Sequence, residues 1–143
     1  MSLKTSLLVI GLGLSLLLIA ACTGTGELAT RDLPEIRTQL LVRAPDGPLP
    51  LNKTITVKSL VEAQSGVSHA ELYLVKFSPP QGTPVENMLI RSDAAATLGQ
   101  PVFTAAQPFT PLQTGHYVIK VVGYNTQGGR MESETISFEV RSQ

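Results

Sequence analysis

Tryptophan is absent from this sequence, cysteine occurs once, and charged residues make up only 15% of its 143 positions. Each shortage narrows the field. A single cysteine excludes an intrachain disulfide and any CxxC metal knuckle. Lys plus Arg equals Asp plus Glu at 11 each, so there is no basic field of the kind that neutralises nucleic-acid phosphates, and nucleic acid is not an expected partner. HExxH, His-rich and nucleophile-elbow patterns are missing as well, so no cofactor is expected and the chain does not read as an enzyme. What abounds is Val, Leu, Ile, Thr and Gly, a bias toward strands and turns. The length fits one domain plus extras.

The first extra is the N-terminus, "MSLKTSLLVIGLGLSLLLIAAC", where Lys4 is the sole charge ahead of a largely apolar stretch from Leu7 to Ala21. This is the n-region, h-region and small-residue cleavage site of an export signal. A spanning helix needs about 20 apolar residues, and this stretch has about 15, so a permanent membrane helix fits less well. Its end, Ile19-Ala20-Ala21-Cys22, resembles a bacterial lipobox. The resemblance implies diacylglyceryl transfer to the Cys22 sulfur, cleavage between Ala21 and Cys22, and acylation of the new amine. Two or more acyl chains hold a protein firmly to a bilayer where one holds it marginally. Cys22 is therefore expected to be a lipid anchor, and the protein to be extracytoplasmic and membrane-attached; Thr23 after it leaves an outer-membrane address open. Residues 1–21 are the expected signal peptide and 22–36 the lipidated cysteine and a flexible tether, polar and without apolar period. The expected domain is 37–143.

Within that domain, short alternating runs are divided by Pro, Gly, Asn and Asp. The expected strands are Arg37–Arg43, Thr54–Val61, His69–Phe77, His116–Tyr124 and Thr135–Arg141. Alternation assigns Ile55 and Val57, Ala70, Leu72 and Leu74, Tyr117, Ile119 and Val121, and Ile136, Phe138 and Val140 to the inside. Glu71, Tyr73 and Val75, with Val118, Lys120 and Val122, fall on the opposite faces. From Phe77 to Pro101 the sequence is irregular, which marks a functional or mobile stretch; within it "SDAAATLG" can form a helical turn capped by Ser92 or Asp93 and stopped at Gly99. The pattern predicts an all-β, antiparallel sandwich.

"PFTPLQTGHYVIKVVGYNTQGG" (Pro108–Gly129) resembles the closing strands of bacterial immunoglobulin-like domains, with Phe109 where that family often has Trp. "RAPDGPLPLNKTITVKSLVEAQSGVSHAELYLV" (Arg43–Val75) is similar to the family's opening, with a turn at Gly66. The resemblance implies about seven strands in an immunoglobulin-like antiparallel β-sandwich. It also implies a tyrosine corner at "LQTGHY", in which Gly115 makes the turn and Tyr117 bonds to backbone a few residues upstream. The middle segment is longer than the family's usual hairpin.

Such a fold specifies no single function, so activity has to be read from sites. The apolar residues on the outward faces, with Tyr73 and Tyr124 among them, admit two readings: a face covered by the Phe77–Pro101 segment, or a docking surface. The candidate contact residues are Met88, Leu89 and Ile90 of the irregular segment together with Tyr73 and Tyr124, because loops on a rigid sandwich are where recognition sits. His69 and His116 read as strand-end residues. A periplasmic copper carrier using them with Met88 and Met131 is a distant alternative, and a blue-copper site is excluded for want of a thiolate inside the fold. The expectation is a lipid-anchored, non-catalytic module of the bacterial envelope that binds a protein or glycan partner; the alternative is an accessory subunit of a membrane complex.

Overall fold

The computed structural model describes residues 33–78 and 82–142; the signal-like segment, Cys22 and residues 23–32 lie outside them. Eight strands make up the regular structure: β1 (Arg37–Leu40), β2 (Leu49–Pro50), β3 (Ile55–Ser78), β4 (Thr83–Ala94), β5 (Gln100–Phe109), β6 (Gly115–Asn125), β7 (Arg130–Glu132) and β8 (Ile136–Arg141). There is no helix among the described residues. Four of them, the very short β2 and β7 and the longer β4 and β5, are not marked as strands by the sequence pattern. One pairing also departs from the antiparallel rule, since β2 runs parallel to β8 through Leu49 and Val140.

The turn expected at Gly66 does not separate two strands. Residues 55–78 form one run, and Gly66, at φ 86°, sits inside a break of register between Glu62 and Val67. Only glycine adopts that backbone cheaply, and a Cβ there would collide with the backbone of Gly99. The break divides β3 by partner. Residues 55–62 pair with β1 and β5, whereas residues 69–78 pair with β4 and β6. The sheet thereby folds into two layers over one core. Val57, Val61, Phe103 and Phe109 from the first layer join Leu72, Leu74, Ile119, Val121 and Phe138 from the second. Phe109 meets Phe138 edge to face at 6.3 Å, and the buried Gln107 amide donates across the core to the Ala70 carbonyl at 3.2 Å.

The segment read as irregular is mostly the strand β4, whose register with β3 runs from His69↔Ala94 to Ser78↔Thr83. Two bulges, between Leu72 and Tyr73 and between Lys76 and Phe77, hide its alternation from a sequence pattern. The helical turn expected at "SDAAATLG" is absent for the same reason. Ser92, Asp93 and Ala94 are paired with β3, and Asp93 accepts from Arg91 Nε at 2.7 Å instead of capping. β5 also escapes the list of expected strands. Its inward residues are Phe103, Ala105, Gln107 and Phe109, and the polar Gln107 and two prolines disguise the period.

Two ends can be told apart. At one, Gln64 N donates to Pro34 O, Thr126 N to Gly66 O and Gly99 N to Val67 O, so the start of the described chain, the β4–β5 turn and the β6–β7 turn meet. At the other, Phe77 pairs with His116 and Asn52 N donates to Pro111 O.

Candidate binding face

The outer side of the second layer is built by cross-strand rows. Tyr73 stands opposite Leu89 on β4 and Lys120 on β6; Val75 stands opposite Asn87 and Val118; Glu71 stands opposite Ser92 and Val122. In an antiparallel pair, side chains directly opposite share a face. β4 extends this layer sideways and does not lie over it, which overturns the reading in which the Phe77–Pro101 segment covers the face. Leu89 is 51% exposed and Tyr73, Val75 and Val118 are half-buried. Val122 points the same way yet is buried, wedged between Glu71 and Glu132 in neighbouring strands.

The structure divides the sequence's candidate residues. Tyr73 and Leu89 are direct partners on the outer face. Tyr124 shares that face farther along, its ring stacked on His69 at 4.3 Å. Met88 stands opposite the buried Leu74, and Ile90 is the extra residue of the bulge; both pack against the core. They line, with Leu74, Phe109, Leu112 and Tyr117, a cleft of about 250 Å³ on the inner side of β4. Met88 and Ile90 therefore do not join Leu89 on one contact surface. Cys22 lies outside the described residues.

Polar groups that no sequence pattern linked surround Tyr73. Its hydroxyl donates to Glu71 Oε2 at 2.8 Å. That bond to a carboxylate, reinforced by burial and by the Glu71 charge, pushes the Tyr73 phenol up to about 12. Lys120 Nζ lies 5.9 Å above the Tyr73 ring and donates to Glu132 Oε1 at 2.9 Å. The result is an apolar strip, Leu89, Tyr73, Val75 and Val118, rimmed at one end by Glu71, Lys120 and Glu132. Alternation in the sequence places Glu71, Tyr73, Val75, Val118 and Lys120 outward; only the register brings them together with Leu89 and Glu132.

His69 is flanked by Ser68 Oγ, 3.0 Å from Nδ1, and by Glu71 Oε1, 3.7 Å from Nε2. The second separation is beyond hydrogen-bond reach. His69 and His116 are eight ladder steps apart, about 27 Å at strand rise. Met88 faces the core and Met131 pairs with Gly123, so the donors named for a copper carrier are not brought together. Among the described residues no group of three or more His, Cys, Asp or Glu is placed to hold a metal.

At the other edge of the cleft, Tyr117 is buried, stacks on Phe138 at 5.8 Å and donates its hydroxyl to the Gln113 carbonyl at 3.0 Å. Gly115, at φ 145°, makes the turn between them.

No protein-family model matches this chain, and no curated protein matches it. Among solved structures it is similar to the fibronectin(III)-like modules of CbhA from Clostridium thermocellum, at 23% identity and a TM-score of 0.50, over 73% of this chain and 94% of that one. It is similar to part of a β-glucosidase from Listeria innocua at 15% identity and a TM-score of 0.52, over 74% of this chain but only 16% of the enzyme. A third likeness is to an alkylpurine DNA glycosylase, AlkC, of Pseudomonas fluorescens, at 12% identity and a TM-score of 0.51, over 76% of this chain and 31% of that one. Likeness at this level concerns backbone and not sites: the chain is all-β and folds like a fibronectin(III)-like module of the immunoglobulin-like class.

Proposed function

We propose that this chain is a non-catalytic binding module of the bacterial cell envelope, held to a membrane by lipid on Cys22, that meets a protein or glycan partner with the outer face of β4, β3 and β6. The observation that carries the binding role is the uncovered strip formed by Leu89, Tyr73, Val75 and Val118 with its charged rim. An apolar strip beside satisfied polar groups can exclude water from a contact while the rim orients it. The lipobox-like run before Cys22 supports the anchor.

The test is co-purification of the full chain from solubilised membranes, comparing it with Leu89→Asp. Leu89 is 51% exposed, so the substitution should change stability by no more than about 0.5 kcal/mol. Loss of a central contact should weaken a partner by about 2 kcal/mol or more, roughly thirtyfold. A fixed protein set lost with Leu89→Asp makes the chain a subunit of a complex, and cell-wall sugar lost with it makes the chain a glycan binder. Equal recovery with both chains removes the face from the proposal.

A further inference from the structure

We propose that the β4–β5 turn, residues 95–99, rests on the lipid surface through Leu98, so that the module sits on the bilayer by a contact of its own as well as by its anchor. The inference relies on the lipid anchor at Cys22 and adds an orientation to it.

Three observations carry it. The first is where the chain joins the fold. Pro34 is bonded to Gln64, and beside it Gly99 N donates to Val67 O and Ala95 N to Ser68 O, which places the β4–β5 turn at the end where the described chain begins. From Cys22 to Leu33 is eleven residues, and a flexible tether of that length has a typical reach of about 20 Å. A lipid on Cys22 therefore keeps this end close to headgroups, and contact becomes an intramolecular event at high effective concentration.

The second observation is the side chain presented there. Leu98 is 75% exposed, and residues 95–100, "AATLGQ", carry no charge. Arg130 stands at the same end, as does Arg37, 4.0 Å from the buried Glu62 carboxylate; Glu35 and Glu132 are exposed acids nearby. Arginines near an anionic leaflet add attraction.

The third is that the turn is held. Gln100 N donates to Thr97 O at 3.1 Å, Thr97 N donates to Gln100 Oε1 at 2.9 Å, and Gly99, at φ 81°, packs against Gly66. A tip already fixed loses little conformational freedom on docking. Leu112 is just as exposed but lies at the opposite end, about 33 Å away along the ten ladder steps of β3. It provides the internal control.

The experiment uses the full chain, acylated in cells, with Thr97→Cys or Leu112→Cys carrying an environment-sensitive fluorophore. Acylation of Cys22 leaves the introduced thiol as the single free one. Each protein is reconstituted into vesicles of phosphatidylethanolamine and phosphatidylglycerol with brominated acyl chains. Bromine should quench the label at position 97 and leave that at 112 unaffected. Adding Leu98→Asp should lower the docked-to-undocked ratio roughly tenfold, the factor expected for one leucine leaving an apolar environment. Equal quenching at both positions, or none at 97 in a protein whose mass shows acylation, overturns the proposal. A label at 97 shielded from water but not quenched assigns the turn to a protein contact and overturns it too. Absence of acyl mass on Cys22 is read separately, and removes the anchor on which the proposal rests.

Discussion

At the scale of single residues, Tyr117 joins core and turn with one side chain. Its ring lies on Phe138 and its hydroxyl satisfies the Gln113 carbonyl. Tyr117→Phe keeps the ring and loses the bond, at a cost of about 1 kcal/mol; Tyr117→Ala also opens a cavity and should cost about 3–5 kcal/mol. Urea unfolding of the two variants measures both, and neutral results would remove the corner from the account of stability. Tyr73 offers a pH handle. Because its phenol is raised to about 12 by Glu71, the folded state holds the proton more tightly than the unfolded chain does. Its contribution is full below about pH 10, declines as pH rises, and is gone above about pH 12. The urea midpoint of the parent should thus fall more steeply across this alkaline range than that of Tyr73→Phe. Parallel curves would show that the bond to Glu71 is not kept in solution.

At the scale of elements, β4 changes what a deletion means. If the Phe77–Pro101 segment were a recognition loop, replacing residues 79–98 by a tight turn would spare stability. As a strand it supplies the partners of ten β3 residues and covers the core with Met88 and Ile90. Met88 and Ile90 are partly buried, so each contributes part of the roughly 1.5–3 kcal/mol of full burial, and a small domain has only about 5–15 kcal/mol in all. The deletion should therefore abolish cooperative thermal unfolding by calorimetry, while Leu89→Asp leaves it in place. A deleted chain that still unfolds in one sharp transition would make β4 an appendage. The two bulges also bear on β4's outer edge, since bulges, Pro84 and the charges of Glu86, Arg91 and Asp93 discourage pairing with another strand.

For the whole molecule, the proposed anchor at Cys22 is what has to be tested first. On that proposal Cys22→Ser removes the thiol that would take the lipid and should release the domain or leave an unprocessed precursor. Intact mass of membrane-derived protein is the measurement: native material carrying residues 1–21 without acyl mass would refute the lipoprotein reading. On the proposed anchoring and docking, the β4–β5 turn would face the bilayer and the Leu112 end would face away. The strip around Tyr73 and Leu89 then runs along the side of the module, open to a partner in the same membrane or in the envelope space.

The sequence by itself determined the apolar side of the regularly alternating strands. Alternation at Ala70, Leu72 and Leu74 and at Tyr117, Ile119 and Val121 is local chemistry, and those residues are the buried ones. It likewise carried the lipobox-like run at Cys22 and the Gly115 turn before Tyr117. Tertiary structure alone decided that Met88 and Ile90 face the core while Leu89 faces out, because pairing with β3 makes a strand of a stretch whose bulges and prolines disguise it, and a strand sets neighbouring residues on opposite faces. It alone decided that β4 lies beside β3, leaving the outer face open, because pairing depends on which free edge is near and not on the strand's own residues. And it brought Pro34, Gly66, Gly99 and Thr126 to one end, a meeting made by hydrogen bonds between segments as many as 60 residues apart.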